Sequence, residues 1–382
     1  MGALPKKRCL ELSNPINAGV FERLKVPDTF FWAKPACMKI VLATTIVPFI
    51  EGGGTSLVQW LAMKLEEHGH QVDVFKIPIH TQPQHLLEQM LALRLLGVSG
   101  YGDRLITIRT PSYLLEHPNK VLWFIHHFRP AYDLWGTPYH SFPGGREGAA
   151  LRRSIIRADE QAFKSARAIF TNSKIVSGRL REHNRVHAEV LYPPLLHPER
   201  LRNTGYGDYI FYASRISSIK RQWLAIQAMD YVRSGVRLVI AGRPDAESER
   251  ERLHATLQAC KNAERVTLID HWISEEDKCR WCAGALGALY LPFLEDSYGY
   301  ACLEACHAEK PVITCTDSGG PLELIEHGRT GLVIEPDPRA LAEAMDRLFE
   351  DRHEAAAMGQ RARERIGALG ISWDRVIARL TA

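Results

Sequence analysis

Short apolar runs alternate with longer amphipathic stretches along the chain from Met38 onward. In the first half, the short runs rich in β-branched residues are 39–45, 72–76, 104–108, 121–125, 168–171 and 189–191. The stretches with helical periodicity between them are 56–68, 84–96, 148–165 and 173–183. Strands that alternate with helices are typical of a parallel sheet covered by helices. The first half is therefore predicted to be an α/β domain.

The same alternation restarts after a proline-rich segment, YPPLLHPER, which runs from Tyr192 to Arg200 and is the best candidate for a linker. The strands predicted after it are 209–213, 236–241, 265–268, 287–291, 311–314 and 331–334. Two such halves predict two Rossmann-like domains that face each other across a cleft, with ligands bound beyond the carboxyl ends of the strands. The predicted divisions are an N-terminal domain at 38–197, a C-terminal domain at 198–368, and a terminal helix at 369–382 that packs back on the first domain.

Residues 1–37 show no clear periodicity and are predicted to be a disordered extension. Met38 is then expected to begin the fold, and it is a candidate for the natural translation start. The intact mass of the protein purified from its host would test this, because a mass that includes residues 1–37 would reject Met38 as the start.

Composition narrows the class of protein. No apolar run approaches the ~18–20 residues that a membrane span needs, and no secretory signal is present, so we expect a cytoplasmic protein. The net charge of +4 suits an anionic ligand or an acidic membrane surface, and it is too small to indicate nucleic acid. The apolar segment HLLEQMLALRLLG, with arginines nearby in sequence, is compatible with association at the inner face of a membrane or with a core helix beside a solvated basic face. These arginines are Arg146, Arg152, Arg153 and Arg157.

The eight cysteines, in a chain of this length without a signal peptide, indicate reduced thiols. The pairs Cys279/Cys282 and Cys302/Cys306 loosely resemble a zinc site. Small buried thiols are the favoured interpretation, because the second pair falls in a predicted helix. No metal site is predicted.

Two cations follow the predicted strand 209–213. In SRISSIKR, Arg215 and Lys220 lie five residues apart at the expected carboxyl end of that strand. Arginine offers a planar fork to phosphate oxygens and lysine a mobile charge, so this loop is a candidate anion site. An ordinary solvated basic loop is an equally good interpretation of these residues alone.

Two carboxylates mark the segment EDSYGYACLEA, in which Asp296 precedes Glu304 by eight residues. A helix is predicted to begin near Gly299, and its first N–H groups would face the cleft with partial positive charge. Glu304 would lie about a turn and a half into this helix, where a buried acid needs hydrogen bonds such as those from ligand hydroxyls. The alternative is that Glu304 faces water.

Glycine loops follow two other predicted strands. Gly319 and Gly320 in DSGGPLELI allow the backbone to approach a ligand before another short helix. In PFIEGGGTSLVQWLA, Gly52 to Gly54 precede the first helix, but Leu57 stands where a dinucleotide fingerprint requires its third glycine. No Walker phosphate loop is present.

A histidine pair ends the predicted strand 121–125. Adjacent residues of a strand point to opposite faces, so one of His126 and His127 is expected to enter the cleft. His126 is the favoured candidate, and a structural histidine is the alternative.

Taken together, these segments resemble the retaining GT-B glycosyltransferases of family 4, the glycosyl transferases group 1. That family has an acid-x7-acid motif, an Arg and a Lys about five apart, a Gly-Gly-x-x-Glu segment and an N-terminal glycine loop. The matching positions are Asp296 with Glu304, Arg215 with Lys220, Gly319 to Glu323, and Gly52 to Gly54. The resemblance extends from Met38 to about residue 380.

The resemblance implies transfer of a hexosyl group from a nucleotide sugar, GDP- or UDP-linked, to a glycan or lipid-linked acceptor in cell-envelope or polysaccharide synthesis. It implies no metal or other cofactor. Arg215 and Lys220 would hold the diphosphate, Glu304 the ribose, Asp296 the transferred sugar, and His126 would lie near that sugar and the acceptor. The family usually has Glu where Asp296 stands, which puts the reach of this carboxylate in question. The remaining donor contacts implied are Gly53, Gly54, Tyr298, Gly299, Tyr300, Gly319, Gly320 and Glu323.

Three other functions remain open on the sequence. A nucleotide-sugar epimerase or a phosphorylase could share this fold, and a non-catalytic subunit could bind the sugar nucleotide without turnover. Nucleotide release that depends on added acceptor would separate a transferase from all three.

Overall fold

The computed structural model describes residues 37–47, 53–137, 140–295 and 297–382. Of the predicted extension only Cys37 is therefore described, and Asp296 and Gly52 lie outside the described residues.

Two parallel sheets organise the described chain, and each contains six strands. The strand order is β2-β1-β3-β4-β5-β6 in the first sheet and β12-β11-β10-β7-β8-β9 in the second. The first sheet consists of β1 (Lys39–Ile46), β2 (Gln71–Pro78), β3 (Arg104–Thr107), β4 (Lys120–Phe124), β5 (Ala168–Thr171) and β6 (Glu189–Val190). The second consists of β7 (Tyr209–Ala213), β8 (Arg237–Ala241), β9 (Val266–Ile269), β10 (Gly287–Leu289), β11 (Val312–Cys315) and β12 (Gly331–Ile334).

These bounds follow the predicted strands to within two residues. The largest differences are of two residues: β2 extends to Pro78 beyond its predicted end at Lys76, and β10 ends at Leu289 before its predicted end at Leu291. The N–H of Leu291 donates to the hydroxyl of Tyr212 at 3.1 Å, so at this residue a side chain takes the place of a neighbouring strand.

Helices cover the sheets, and side-chain oxygens cap several of their first turns. Ser173 accepts from the N–H of Val176, and Ser372 accepts from the N–H of Arg375. The helices are α1 (Gly53–Glu67), α2 (Pro83–Leu95), α3 (Gly145–Lys164), α4 (Lys174–Asn184), α5 (Gln222–Met229), α6 (Glu247–Ala259), α7 (Glu275–Gly284), α8 (Tyr300–His307), α9 (Pro338–Glu350), α10 (Arg352–Ala368) and α11 (Trp373–Thr381). Within the described ranges, no helix is both long and apolar enough to cross a membrane.

The last helix joins the core of the first domain, as predicted. Val376, Ile377 and Leu380 on α11 are buried in one cluster with residues of β1, α1 and β4. The rings of Trp373 and Trp123 meet edge to face at 6.4 Å, and Arg104 donates to the carbonyl of Leu380 at 2.8 Å. The chain thus crosses from the first domain to the second after β6 and returns before α11.

Candidate functional site

A cavity opens at the carboxyl ends of β1 to β4, where a parallel sheet leaves space between its loops. Its volume is about 260 Å³. The lining is apolar near Ile79 and Leu86 and basic elsewhere. The basic residues are His80, Arg109, His126, His127 and Arg129.

The two neighbouring histidines after β4 have different environments. His127 is buried, its Nε2 lies 2.8 Å from Oδ1 of Asn184, and its ring packs against Tyr132 at 4.1 Å. Burial lowers the pKa of His127 to about 3, so this ring stays neutral. His126 is half-buried and lines the cavity. Both histidines therefore border the cavity, His127 as a buried neutral ring and His126 as the more exposed one.

The tautomer of neutral His126 follows from its hydrogen bond. Its Nδ1 lies 2.6 Å from the carbonyl oxygen of His127, and a carbonyl only accepts, so Nδ1 carries the proton. Nε2 of the neutral ring then has the lone pair and is the atom suited to accept a hydrogen bond from a hydroxyl.

Arg129 connects this cavity to the second domain. Its guanidinium pairs with Asp133 at 2.7 Å and donates to the carbonyl oxygen of Leu294 at 2.8 Å. Leu294 belongs to the loop after β10, directly before Glu295. The carboxyl ends of the two sheets therefore meet at this contact.

On the second domain, Lys220 lies in a buried polar triangle. Its Nζ donates to the Tyr290 hydroxyl at 2.6 Å and to the carboxylate of Glu295, while that hydroxyl donates to Glu295 at 2.7 Å. Burial alone would raise the pKa of Glu295, but the Lys220 charge and the two hydrogen bonds hold it at about 2. Glu295 is thus a carboxylate that orients the ammonium. Sequence reasoning assigned no role to it, because the eight-residue spacing to Glu304 selected its neighbour Asp296.

Arg215 pairs with a different acid. Its Nη1 lies 2.7 Å from both carboxylate oxygens of Asp245, which follows β8, and its side chain is about half exposed at 53%. An exposed pair of this kind contributes ~0–1 kcal/mol, so a diphosphate could readily replace Asp245. The adjacent Arg221 instead holds the loops together, donating to Asp317 at 2.7 and 2.8 Å and to the carbonyls of Leu291 and Pro292.

Glu304 on α8 is largely buried and bonds to Lys278 of α7 at 2.7 Å. Burial raises the pKa of Glu304 and the Lys278 charge opposes that rise. The alternative that Glu304 merely faces water is therefore wrong, since a lysine accompanies it into the interior. Sequence reasoning gave no role to Lys278, which lies in a separate helix.

The predicted glycines are needed for contacts within the protein. A Cβ on Gly299 (φ +71) would lie 2.2 Å from the Tyr290 ring, and a Cβ on Gly320 would lie 1.9 Å from the carbonyl of Ser297. The Gly320 N–H donates to the carbonyl of Glu295 at 3.1 Å, and Gly319 forms an isolated bridge with the same residue. The two loops thus pack backbone against backbone beside Lys220. Gly53 and Gly54 are the first two residues of α1.

Glu323 of the glycine-rich segment contacts the first domain. Its carboxylate accepts from the N–H groups of Lys174 and Ile175 at 2.9 and 3.0 Å, and from the Tyr192 hydroxyl at 2.6 Å. These N–H groups start α4, where the partial charge of the helix is positive. The contacts of the Glu323 carboxylate therefore join the two domains. A contact between Glu323 and the nucleotide-sugar donor remains a prediction.

Two predicted tyrosines also face the first domain. Tyr300 meets Trp60 of α1 edge to face at 5.4 Å, and the buried Tyr298 packs against Tyr192 at 5.7 Å. Among the described residues, the Tyr298 hydroxyl has no hydrogen-bond partner.

Comparison with known proteins identifies the second domain. A family model described as glycosyl transferases group 1 matches residues 197–365. The second domain is therefore similar to the glycosyl transferases group 1. The human alpha-1,3/1,6-mannosyltransferase ALG2 is 27% identical over 283 residues, which are 67% of this chain and 66% of that protein. A Mycobacterium tuberculosis GDP-mannose-dependent alpha-(1-6)-phosphatidylinositol monomannoside mannosyltransferase is 40% identical over 88 residues, 22% of each chain. These alignments thus cover less than two thirds of each relative.

The whole two-domain arrangement has counterparts among solved structures. Anabaena Alr3699/HepE, solved in complex with UDP and glucose, superposes with a TM-score of 0.65 at 16% identity, over 90% of this chain and 98% of that one. The GT-B prediction for the fold is confirmed.

The fold brings predicted site residues from both domains to the gap between the sheets. Lys220, Tyr300 and Glu304 are contributed by the second domain and His126 by the first. Within the described ranges, no three His, Cys, Asp or Glu side chains are grouped so as to hold a metal ion, and the four cysteines considered for zinc are free thiols.

Proposed function

We propose that the protein is a retaining glycosyltransferase that moves a hexosyl group from a nucleotide sugar to an acceptor hydroxyl. The observation that carries this proposal is the contact between Arg129 and the carbonyl of Leu294, beside the Lys220–Glu295 pair. It brings the cavity that His126 lines next to Lys220, one of the two cations assigned to the diphosphate.

In the proposed reaction, the bond between the anomeric carbon and the β-phosphate oxygen breaks while the acceptor oxygen bonds to the same face of the sugar. The acceptor proton passes to the departing phosphate oxygen. Lys220 and Arg215 stabilise the negative charge that develops on the diphosphate, so they contribute most in the transition state. The ammonium of Lys220 has three donors, and Glu295 and Tyr290 occupy two of them, which leaves the third for a phosphate oxygen.

The cations supply the positive charge that a divalent metal would otherwise provide, and we propose a reaction without metal or other cofactor. Glu304, as proposed, accepts from the ribose hydroxyls, and Lys278 is the ion-pair partner of its carboxylate when the donor is absent. His126 accepts a hydrogen bond from the transferred sugar through Nε2. The role of Asp296 toward the sugar stays a prediction.

GDP-mannose is the favoured donor, with UDP-hexose as the second candidate. Support for mannose comes from the names of the human and mycobacterial relatives, and support for UDP from the complex of the Anabaena protein. Thermal shift against UDP, GDP, ADP and dTDP and their sugars would select between them.

A glycan or lipid-linked acceptor used in cell-envelope or polysaccharide synthesis follows from the same family likeness. We further propose peripheral contact with the inner face of an anionic membrane. Leu91, Leu95 and Tyr101 are exposed at and just after α2, while Arg153 and Arg157 are exposed on α3, which packs against α2. Pelleting with anionic vesicles and not with neutral ones is the expected result, and equal pelleting with both would reject the contact.

Acceptor-dependent release of nucleoside diphosphate is the decisive assay. Lys220→Gln should lower its rate at least about tenfold, since it removes charge-assisted bonds worth ~1.5–3 kcal/mol. Lys261→Gln is the matched control, because Lys261 is exposed on the loop after α6. Release that needs no acceptor would favour hydrolysis of the donor, and release that needs only inorganic phosphate would favour a phosphorylase. Conversion of the donor to another nucleotide sugar would favour an epimerase, and binding without turnover for any acceptor would favour a non-catalytic subunit. Full activity in EDTA is expected, and the product should keep the anomeric configuration of the donor.

A further inference from the structure

The cavity of the first domain contains a cation that the proposed donor chemistry does not use. Arg109 follows β3, is half-buried, and lines the cavity together with His80 and His126. No described residue accepts a hydrogen bond from its side chain or lies within ion-pair distance of it. Burial lowers the pKa of Arg109, and no neighbouring acid opposes that effect.

The other lining residues do not neutralise this charge. The described lining contains no carboxylate. Arg129, the second arginine there, already has Asp133 at 2.7 Å as its counter-ion. The cavity as described therefore has a net positive charge centred on Arg109.

A partly buried guanidinium without a carboxylate partner is costly for the protein alone, and an anionic ligand would relieve that cost. The planar fork of arginine fits phosphate and carboxylate oxygens. The Arg109 guanidinium alone can bond both oxygens of a carboxylate. A phosphate has a third oxygen, and the imidazole of His80 can bond to it. The cations Arg215 and Lys220 assigned to the donor diphosphate lie in the other domain, so Arg109 would serve a separate anion.

We propose that the acceptor carries a phosphate ester and that Arg109, with His80 beside it, binds this phosphate while His126 borders the reacting hydroxyl. This inference rests on the proposed function, since it specifies the substrate class of the same site. Arg109 then selects anionic acceptors over neutral glycans of the same size.

The test is a titration of the full chain with inorganic phosphate, monitored by calorimetry, in the presence of saturating UDP or GDP so that the donor site is occupied. The variants are Arg109→Gln and Arg109→Lys, and the control is Arg181→Gln, an exposed arginine on α4. Arg109→Gln should weaken phosphate binding at least about tenfold, Arg109→Lys should weaken it less, and Arg181→Gln should leave it unchanged. Circular dichroism of each variant checks folding. If Arg109→Gln is misfolded, the phosphate affinity of Arg109→Lys is compared with that of the wild type instead.

Three further titrations identify the chemical class of the anion and its source. Acetate replaces phosphate as a carboxylate, glycerol 3-phosphate is a soluble monoester, and phosphatidic acid vesicles present the same monoester on a lipid. Binding of either phosphate ester that is lost in Arg109→Gln supports the proposal and says whether the acceptor is soluble or lipid-linked. Tighter binding of acetate than of phosphate, no phosphate binding by the wild type, or equal binding by Arg109→Gln and Arg181→Gln would overturn it. Binding of UDP or GDP, which depends on the second domain, is measured separately, so failure of the proposed function is seen independently.

Discussion

Replacing Glu323 with glutamine tests the contact that joins the two domains. The carboxylate is only 8% exposed and accepts from two N–H groups at the start of α4 and from the Tyr192 hydroxyl. Glutamine has nearly the same shape, but it loses the charge and presents an NH2 group where an acceptor is required.

The magnitude follows from these contacts. Hydrogen bonds to a charged group contribute ~1.5–3 kcal/mol compared with ~0.5–1.5 kcal/mol for neutral ones. A negative charge at a helix N-terminus adds ~0.3–1 kcal/mol, and up to ~2 kcal/mol when partly buried. We therefore expect Glu323→Gln to lower the free energy of unfolding by about 2–4 kcal/mol, with little screening by salt because the group is buried.

Urea unfolding followed by circular dichroism measures this change, and Glu343→Gln is the control, since Glu343 is exposed on α9. Because the lost bonds connect the domains, trypsin should also cleave the segment between β6 and β7 faster in Glu323→Gln. A free energy of unfolding within about 0.5 kcal/mol of the control would refute the reasoning, because surface changes usually fall in that range.

The remaining predictions concern three other sites. His126→Ala should keep nucleotide affinity in calorimetry and lower transfer about tenfold, because it removes one hydrogen bond to the sugar, and unchanged transfer would remove His126 from the site. Buried Asp159 accepts from the hydroxyls of Tyr113 and Tyr132, and burial raises its pKa to about 7. Between pH ~4 and ~7 the folded chain therefore keeps a proton on Asp159 that the unfolded chain has lost. As pH rises through this range, the free energy of unfolding should fall by ~1.4 kcal/mol per pH unit. Urea unfolding of Asp159→Asn should lack this slope. Lys278→Met should lower stability by about 1–3 kcal/mol, because Glu304 is left buried without its counter-ion, and a double variant with Glu304→Gln should recover part of that loss. Equal stability of the single and double variants would contradict the pairing.

The architecture was accessible from the sequence because each strand is a short apolar run bounded by turn residues. The pattern at 168–171 and 209–213 coincides with β5 and β7, since nothing else in those stretches competes with strand formation. The terminal helix was also predictable, and its place on the first domain was expected.

The partners of the site residues were less accessible, because they lie far apart along the chain. Lys278 is 26 residues from Glu304, and Glu323 is 149 residues from Lys174. The role of Glu295 depends on a loop that brings it to Lys220, 75 residues away. Periodicity describes neighbours within one element, and it contains no information about which loops meet at the end of a sheet.

The two crossings between the domains are tied to each other. The indole N–H of Trp373, just after the return crossing, donates to the carbonyl oxygen of Leu195 in the outgoing one at 2.8 Å. Because the two covalent connections between the domains lie side by side, the motion they restrict least is a rotation of one domain about the line that passes through both connections. The gap between the sheets can therefore widen by a hinge rotation about this line. The interdomain contacts of Arg129 and Glu323 must break for that rotation to occur.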